Sequence, residues 1–261
     1  MRAALFALLL LAAPLAFLSG ARAATPDDIF AVYARGDYEQ AARLGEAAHT
    51  APGLAIAARA VLAEDVLRDK PCMDCLKRAE SLARSAIALD PHYAYGQIWL
   101  AVALGYQARL TGAVVARLAN TPKQSRQALD QALADDPNNP FAISALGGWN
   151  IEIVRGGGAF LARVLYGATQ AEALALFDKA EKLDPSNVAV HYQIGLSLAG
   201  YDADKFRLRI ASEFRAAVAG HPQTVYERHI QDRANDLLGL ADRGPREALD
   251  ARIRLYQGFA D

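Results

Sequence analysis

The sequence predicts an all-α fold built from antiparallel helix pairs, and three observations carry that prediction. Alanine and leucine dominate, and no stretch alternates Val, Ile and Thr with polar residues as a half-buried strand would. Three segments end alike, Ala86-x3-Asp90-Pro91, Ala132-x3-Asp136-Pro137 and Ala180-x3-Asp184-Pro185, and Ala217-x3-His221-Pro222 differs in one letter. A small residue also recurs beside an aliphatic one nine positions after each of the first three prolines, as Leu100-Ala101, Leu146-Gly147 and Ile194-Gly195.

Each offset has a mechanical reason. Proline disfavours helical geometry in the residue before it, so each Asp-Pro closes one helix and leads into the next. Eight residues before the four prolines stand Ala83, Leu129, Phe177 and Phe214, and twelve before them Ala79, Ser125, Ala173 and Ile210. These fall on one face of the helix that each proline ends. The small residue after each Leu or Ile is expected where the next helix crosses that face, because a larger side chain would push the two apart.

This pattern resembles the tetratricopeptide repeat, with its W-x2-L-G-x2-Y and A-x3-F motifs and a closing proline. Ala173-x3-Phe177-x2-Ala180-x4-Pro185 carries the second-helix motif, and Gly36-Asp37-Tyr38-Glu39-Gln40-Ala41 resembles the turn inside an earlier pair. The resemblance implies a right-handed superhelix of antiparallel helix pairs, a TPR-like α-solenoid, over residues 24–261. Proline spacings of 46 and 48 exceed the usual repeat of about 34, so the units near 92–137 and 138–185 are lengthened. The surplus contains two similar insertions, Gly112-Ala113-Val114-Val115-Ala116-Arg117-Leu118 and Gly158-Ala159-Phe160-Leu161-Ala162-Arg163-Val164. Both are expected to be extra helical turns that carry apolar surface to one edge. The segment from Ala142 to Leu198 is similar to the helical domain of the regulator-of-microtubule-dynamics family. That resemblance implies the fold; its partner is not carried over, since an exported chain would not meet cytoplasmic filaments.

Export is expected from the N-terminus. Met1-Arg2 precedes an uncharged run from Ala3 to Leu18, too short for a comfortable membrane span, and Ala21-Arg22-Ala23 offers small residues to a signal peptidase. Residues 1–23 therefore read as a signal peptide cleaved after Ala23, with an uncleaved N-terminal anchor as the competing reading; cleavage places the mature chain in the periplasm or outside the cell with no stable membrane insertion. The mature chain would carry 26 basic against 29 acidic residues, a formal charge of -3, with both signs dispersed along its length. Nucleic-acid binding is not expected from that balance. Periplasmic helical-repeat proteins with lengthened units also occur as the T component of tripartite ATP-independent periplasmic (TRAP) transporters, and a weaker architectural resemblance to them implies an apolar ligand or a solute-binding subunit as partner.

In a solenoid of this kind the first helix of each pair lines the concave face. Projection from the Leu-Gly anchors places Tyr95, Ile98, Val102 and Tyr106 there, then Phe141, Ser144, Gly148 and Ile151, then Ala189, Tyr192 and Leu196. The expected groove is aromatic and apolar, without the Lys, Arg and Asn of a carboxylate clamp. It would suit an apolar peptide, a helix or a lipid-like molecule. The same residues are core if the inserted or C-terminal segments fold over them.

Cys72-Met73-Asp74-Cys75, after Pro71, places two thiols at a helix N-terminus. A structural disulfide is the leading reading; a redox pair and half of a metal site are the alternatives, the latter needing further ligands. The five histidines form no cluster in sequence, Gly156-Gly157-Gly158 reads as a flexible link, and Trp99 and Trp149 read as core. No Gly-x-Ser-x-Gly or His-Glu-x-x-His motif is present. Amphipathic helices over about 223–258, rich in Arg and Asp, read as a terminal cap. The function expected is non-catalytic: an exported scaffold binding a partner protein or peptide through its concave face, without cofactor or metal. A binder of an apolar small molecule and a thiol-redox protein are the alternatives.

Overall fold

The computed structural model describes residues 24–68, 71–243 and 245–259, and the expected signal segment lies outside them. Among the described residues the protein has thirteen helices and no strand. Six form an inner row: α1 (Pro26–Ala34), α3 (Ala51–Val66), α5 (Ala94–Thr111), α8 (Pro140–Tyr166), α10 (Val188–Asp202) and α12 (Val225–Arg243). Five form an outer row between them: α2 (Tyr38–Ala48), α4 (Met73–Leu89), α7 (Thr121–Asp135), α9 (Gln170–Leu183) and α11 (Arg207–Ala219). Each outer helix packs on the inner helices before and after it, and successive inner helices pack on one another. The result is a two-layer helical solenoid. The remaining two are the short α6 (Ala113–Leu118), between α5 and α7, and α13 (Arg246–Tyr256), which lies on α10 and α12.

The repeated sequence signature becomes a repeated junction. α4, α7 and α9 stop at residues whose next N–H groups, on Asp90, Asp136 and Asp184, donate to the carbonyls of Ala86, Ala132 and Ala180. The following proline then begins a three-residue turn. In two of these turns the aspartate is tied to the next helix, because Asn139 and Asn187 donate to Asp136 and Asp184 at 3.0 and 2.8 Å. Their own Oδ1 atoms cap the first backbone N–H groups of α8 and α10.

The small-residue anchors sit where the layers cross. A Cβ built on Gly147 would lie 2.5 Å from the Phe177 ring, and one on Gly195 would lie 2.6 Å from the Phe214 ring. In the preceding unit Ala101 takes that place, and Ser125 donates to its carbonyl at 3.2 Å. All four residues eight positions before the prolines are buried, with Phe177 and Phe214 among the largest fully enclosed side chains. At the N-terminal end Gly36, with φ of 92°, makes the turn between α1 and α2.

Two expectations change. The insertions are not simple extensions of their helices. Gly112 (φ 83°, ψ 159°) breaks the chain between α5 and α6, and Gly158 (φ 74°, ψ 157°) breaks α8 internally with almost the same backbone step. Those angles are open to glycine and costly for other residues. Gly156-Gly157-Gly158 is therefore a defined kink within a helical run and not a flexible link. The C-terminal helices do more than cap one end. α12 returns to the start of the solenoid, where Arg233 donates to the Val66 carbonyl at 2.8 Å and Val225 packs 3.0 Å from the position of a Gly36 Cβ.

Candidate functional site

That return closes the concave side. Between α3, α5, α8, α10 and α12 lies a cavity of about 770 Å³, within the range of small-ligand sites. α3 contributes Arg59, Leu62, Ala63 and Val66, and α5 contributes Ile98, Trp99, Val102, Gly105, Tyr106 and Arg109. From α8 come Phe141, Ser144, Ala145, Gly148, Trp149 and Glu152, and from α10 Ala189, Gln193 and Ser197. Spacings of three and four residues along each helix keep these side chains on one face. Tyr226 of α12 and Phe259 close the far side, and the rim is made by α6 and the second half of α8, through Val114, Arg117, Leu161 and Leu165.

Of the residues projected from sequence, Ile98, Val102, Tyr106, Phe141, Ser144, Gly148 and Ala189 line this cavity. Tyr95 lies outside the lining, half-buried and stacked on Trp99 with ring centroids 6.4 Å apart. Ile151, Tyr192 and Leu196 are core residues packed between the layers. On α10 the lining is Ala189, Gln193 and Ser197, one position later than projected at the last two. The projection drifts because α10 is apolar on nearly every side, so hydrophobicity alone does not mark its inner face. Trp99 and Trp149, read as core, both border the cavity, and Trp149 donates from Nε1 to the Pro122 carbonyl at 3.0 Å.

The larger correction concerns charge. Arg59, Arg109, Arg117 and Arg155 all line the cavity, against a single carboxylate among the described residues, Glu152. Arg109 donates to Glu152 at 3.1 Å and to the Gln257 carbonyl at 3.0 Å, and Arg155 donates to the other Glu152 oxygen. Burial by itself would raise Glu152, but Arg109 and Arg155 outweigh it and hold the carboxyl below the usual carboxylate range. Burial likewise works against the Arg109 charge, and Glu152 overcomes it. Both guanidinium groups also rest on the Phe259 ring. Arg59 spreads over Tyr33, Trp99 and Phe30 at 4.5, 5.4 and 5.5 Å, with no carboxylate at ion-pair distance among the described residues. The arginines escaped the projection because Arg109 and Arg155 lie one turn beyond the anchor segments, and Arg59 sits in a unit without an Asp-Pro signature. Continuing the three-and-four spacing from Val102 through Gly105 reaches Arg109, which is the signal that was there to follow.

Cys72 and Cys75 stand as a disulfide pair at the start of α4. Cys72 is the N-cap, and its sulfur accepts from the Cys75 N–H at 3.1 Å. Pro71 falls before the cap and not in the first turn. Buried Asp65, at the end of α3, accepts from the Cys72 N–H at 2.8 Å, and desolvation lifts its pKa above the usual aspartate value. The disulfide ties the N-cap to the first turn of α4, and the Asp65 bond ties that cap to the end of α3. Replacing both cysteines by serine is expected to lower the unfolding free energy by about 2 kcal/mol, the chain-entropy value for so short a loop. Urea denaturation measures this, and ligand uptake by the folded variant should be unchanged.

A second cluster lies between α9, α10 and α11. His191 bonds to Glu213 through Nδ1 at 2.7 Å and to the Pro185 carbonyl through Nε2 at 3.0 Å. Arg209 bridges Glu213, Glu181 and Asp178. Ligand atoms of Glu181, His191 and Glu213 fall within 4.8 Å of one another, but both imidazole nitrogens are already committed to protein partners. Burial beside the Glu213 carboxylate pushes Glu181 up to about 7, while the Glu213 bond raises His191. Both groups favour the protonated state when folded. Their stabilisation is present at low pH and is lost as pH rises, for Glu181 from the unfolded value near 4.5 through about 7. Glu213, desolvated but lowered by His191 and Arg209, acts in the opposite sense and is lost only as pH falls into the carboxylate range. The melting temperature is therefore expected to drop between about pH 5 and pH 8, and Glu181→Gln to flatten that slope. An unchanged slope in the variant would remove Glu181 as its source.

No helix among the described residues is long and apolar enough to cross a membrane. No curated protein matches the chain. Residues 53–239, which span α3 to α12, match the family described as regulator of microtubule dynamics protein 1-3. Since that match covers well over half of the sequence and takes in the cavity walls of α3, α5, α8, α10 and α12, the chain belongs to the regulator of microtubule dynamics protein 1-3 family.

Proposed function

We propose that the protein is a non-catalytic, TPR-type binding scaffold whose concave cavity takes an apolar chain ending in an anion. One observation carries this reading: an apolar cavity of about 770 Å³ with four arginines on its wall and one glutamate to balance them. Arg109 and Arg155 share that glutamate, which leaves one positive charge on the trio and one each on Arg59 and Arg117. An apolar tail alone would leave those cations without a counter-charge, and an ion alone would leave the aromatic wall unused. A long-chain carboxylate satisfies both. The second reading, an apolar segment of a partner protein bound through the concave face, is favoured by the two-layer helical solenoid and the run of inner helices along its concave side. Processing after Ala23 and a periplasmic location, as for a TRAP T component, complete the proposal.

The test is a titration of the folded protein with 1-anilinonaphthalene-8-sulfonate, an apolar dye with an anionic group. Saturable uptake at one dye per chain is expected. A long-chain carboxylate should displace it at least tenfold better than the alcohol of equal length, since a charge-assisted bond to arginine contributes roughly 1.5–3 kcal/mol. Absence of dye uptake by the folded chain would sink the reading. Displacement by an apolar peptide but by no carboxylate would transfer it to a partner protein.

A further inference from the structure

The two inserted segments do something that water-facing helices do not. Of the twelve large apolar side chains exposed among the described residues, seven lie on α6 and the second half of α8. Val114, Leu118, Phe160 and Val164 are 73, 83, 78 and 63% exposed. The side chains turned inward are alanines, Ala116 at 4% and Ala162 at 1%, so the usual amphipathic order is inverted. Small residues touch the protein and large apolar ones face out.

The segments also form one edge. Each leaves its parent helix at a positive-φ glycine with nearly the same angles, and a Cβ on Gly156 would lie 3.9 Å from the Ala113 Cβ. Charge on the edge has a single sign. Residues 112–119 and 156–168 contain Arg117 and Arg163 and no acid. Both arginines are exposed and neither has an ion-pair partner among the described residues. Exposed aliphatic and aromatic tips beside unpaired arginines are the chemistry of a helix lying in the interface of an anionic bilayer: apolar side chains enter the acyl boundary and guanidinium groups meet headgroup phosphates.

We infer that this edge docks on an anionic lipid surface, through Val114, Val115, Leu118, Phe160 and Val164 with Arg117 and Arg163. The occupant is a lipid bilayer and not a second copy of the chain, because two such edges would bring like-charged arginines together without an acid between them. Val114 and Arg117 also stand on the cavity rim, whereas Leu118, Phe160, Arg163 and Val164 lie outside the cavity lining, so the edge can be read at these four apart from what fills the cavity.

Leu118→Cys and Phe160→Cys variants of the full chain, labelled on the new thiol with an environment-sensitive fluorophore, test it, with Ser81→Cys on the exposed face of α4 as control. With phosphatidylglycerol vesicles both edge labels should shift to the blue and at least double in intensity. The Ser81 label should not respond, which separates edge docking from tethering by another part of the chain. Arg163→Glu, at the edge arginine that lies outside the cavity lining, should weaken vesicle binding at least fivefold. The inference is overturned if the edge labels stay unshifted on phosphatidylglycerol, or if Arg163→Glu leaves binding unchanged. It is also overturned if the labels shift with protein concentration alone, which would assign the edge to a second copy. Leu118 and Phe160 lie outside the cavity lining, and the fraction of dye lost in Gly105→Trp is the part bound in the interior, so failure of one test leaves the other interpretable.

Discussion

Truncating Phe177 to alanine is expected to lower the unfolding free energy by about 3–5 kcal/mol, and Phe214→Ala to do the same. Each ring is fully enclosed and fills the space that Gly147 or Gly195 leaves open on the facing inner helix. The surrounding helices are fixed on both sides by their neighbours, so the vacated volume cannot collapse far. In a solenoid each unit contacts mainly its neighbours, and the urea transition should broaden as well as move, since the damage is local. The converse substitution tests the same lock. Gly147→Ala places a methyl 2.5 Å from the Phe177 ring and 3.2 Å from the Ala173 carbonyl, so overpacking of about 1–3 kcal/mol should outweigh the helix-propensity gain. Combining Gly147→Ala with Phe177→Leu should recover part of that loss, because the pair shares one space. Leu208→Ala, at a site 78% exposed, serves as the control and should stay within about 0.5 kcal/mol. A cost below about 1 kcal/mol for Phe177→Ala would mean that the crossing is not where the layers are held.

The second large effect is on binding. Gly105 lies on the cavity wall, and a Cβ built there meets nothing within 4 Å. Gly105→Trp should therefore place its indole in open cavity, and dye affinity should fall at least tenfold through lost volume. Stability should hold or rise by roughly 0.5–1 kcal/mol, since glycine inside a helix is disfavoured. That combination, a more stable fold with an empty titration, is hard to obtain by damaging the protein. An unchanged dye titration in Gly105→Trp would place the dye elsewhere and remove the cavity from the proposed function.

How much of this was legible before folding depends on the range of the interaction. Asp90-Pro91, Asp136-Pro137 and Asp184-Pro185 stop helices through their own backbone chemistry, so their positions carried the junctions directly. Gly147 against Phe177 and Gly195 against Phe214 are contacts within one unit, at fixed offsets from those prolines, and were readable for the same reason. The inner face of α10 was not, because a helix apolar all round gives no preferred direction. The groove arginines were passed over where they lay one turn past an anchor.

What the sequence determined by itself is the local layer of this protein: helices, their stops, the pairing of neighbours and the small residues that let them cross. All of that is encoded within about 40 residues at a time, through backbone geometry and helical periodicity. Tertiary structure alone decided that the solenoid closes, with Arg233 reaching the Val66 carbonyl across 167 positions of sequence. It also decided that four arginines from α3, α5, α6 and α8 share one wall with one glutamate. Such an assembly follows from the accumulated angles of many helix crossings, and no single segment of the chain contains them.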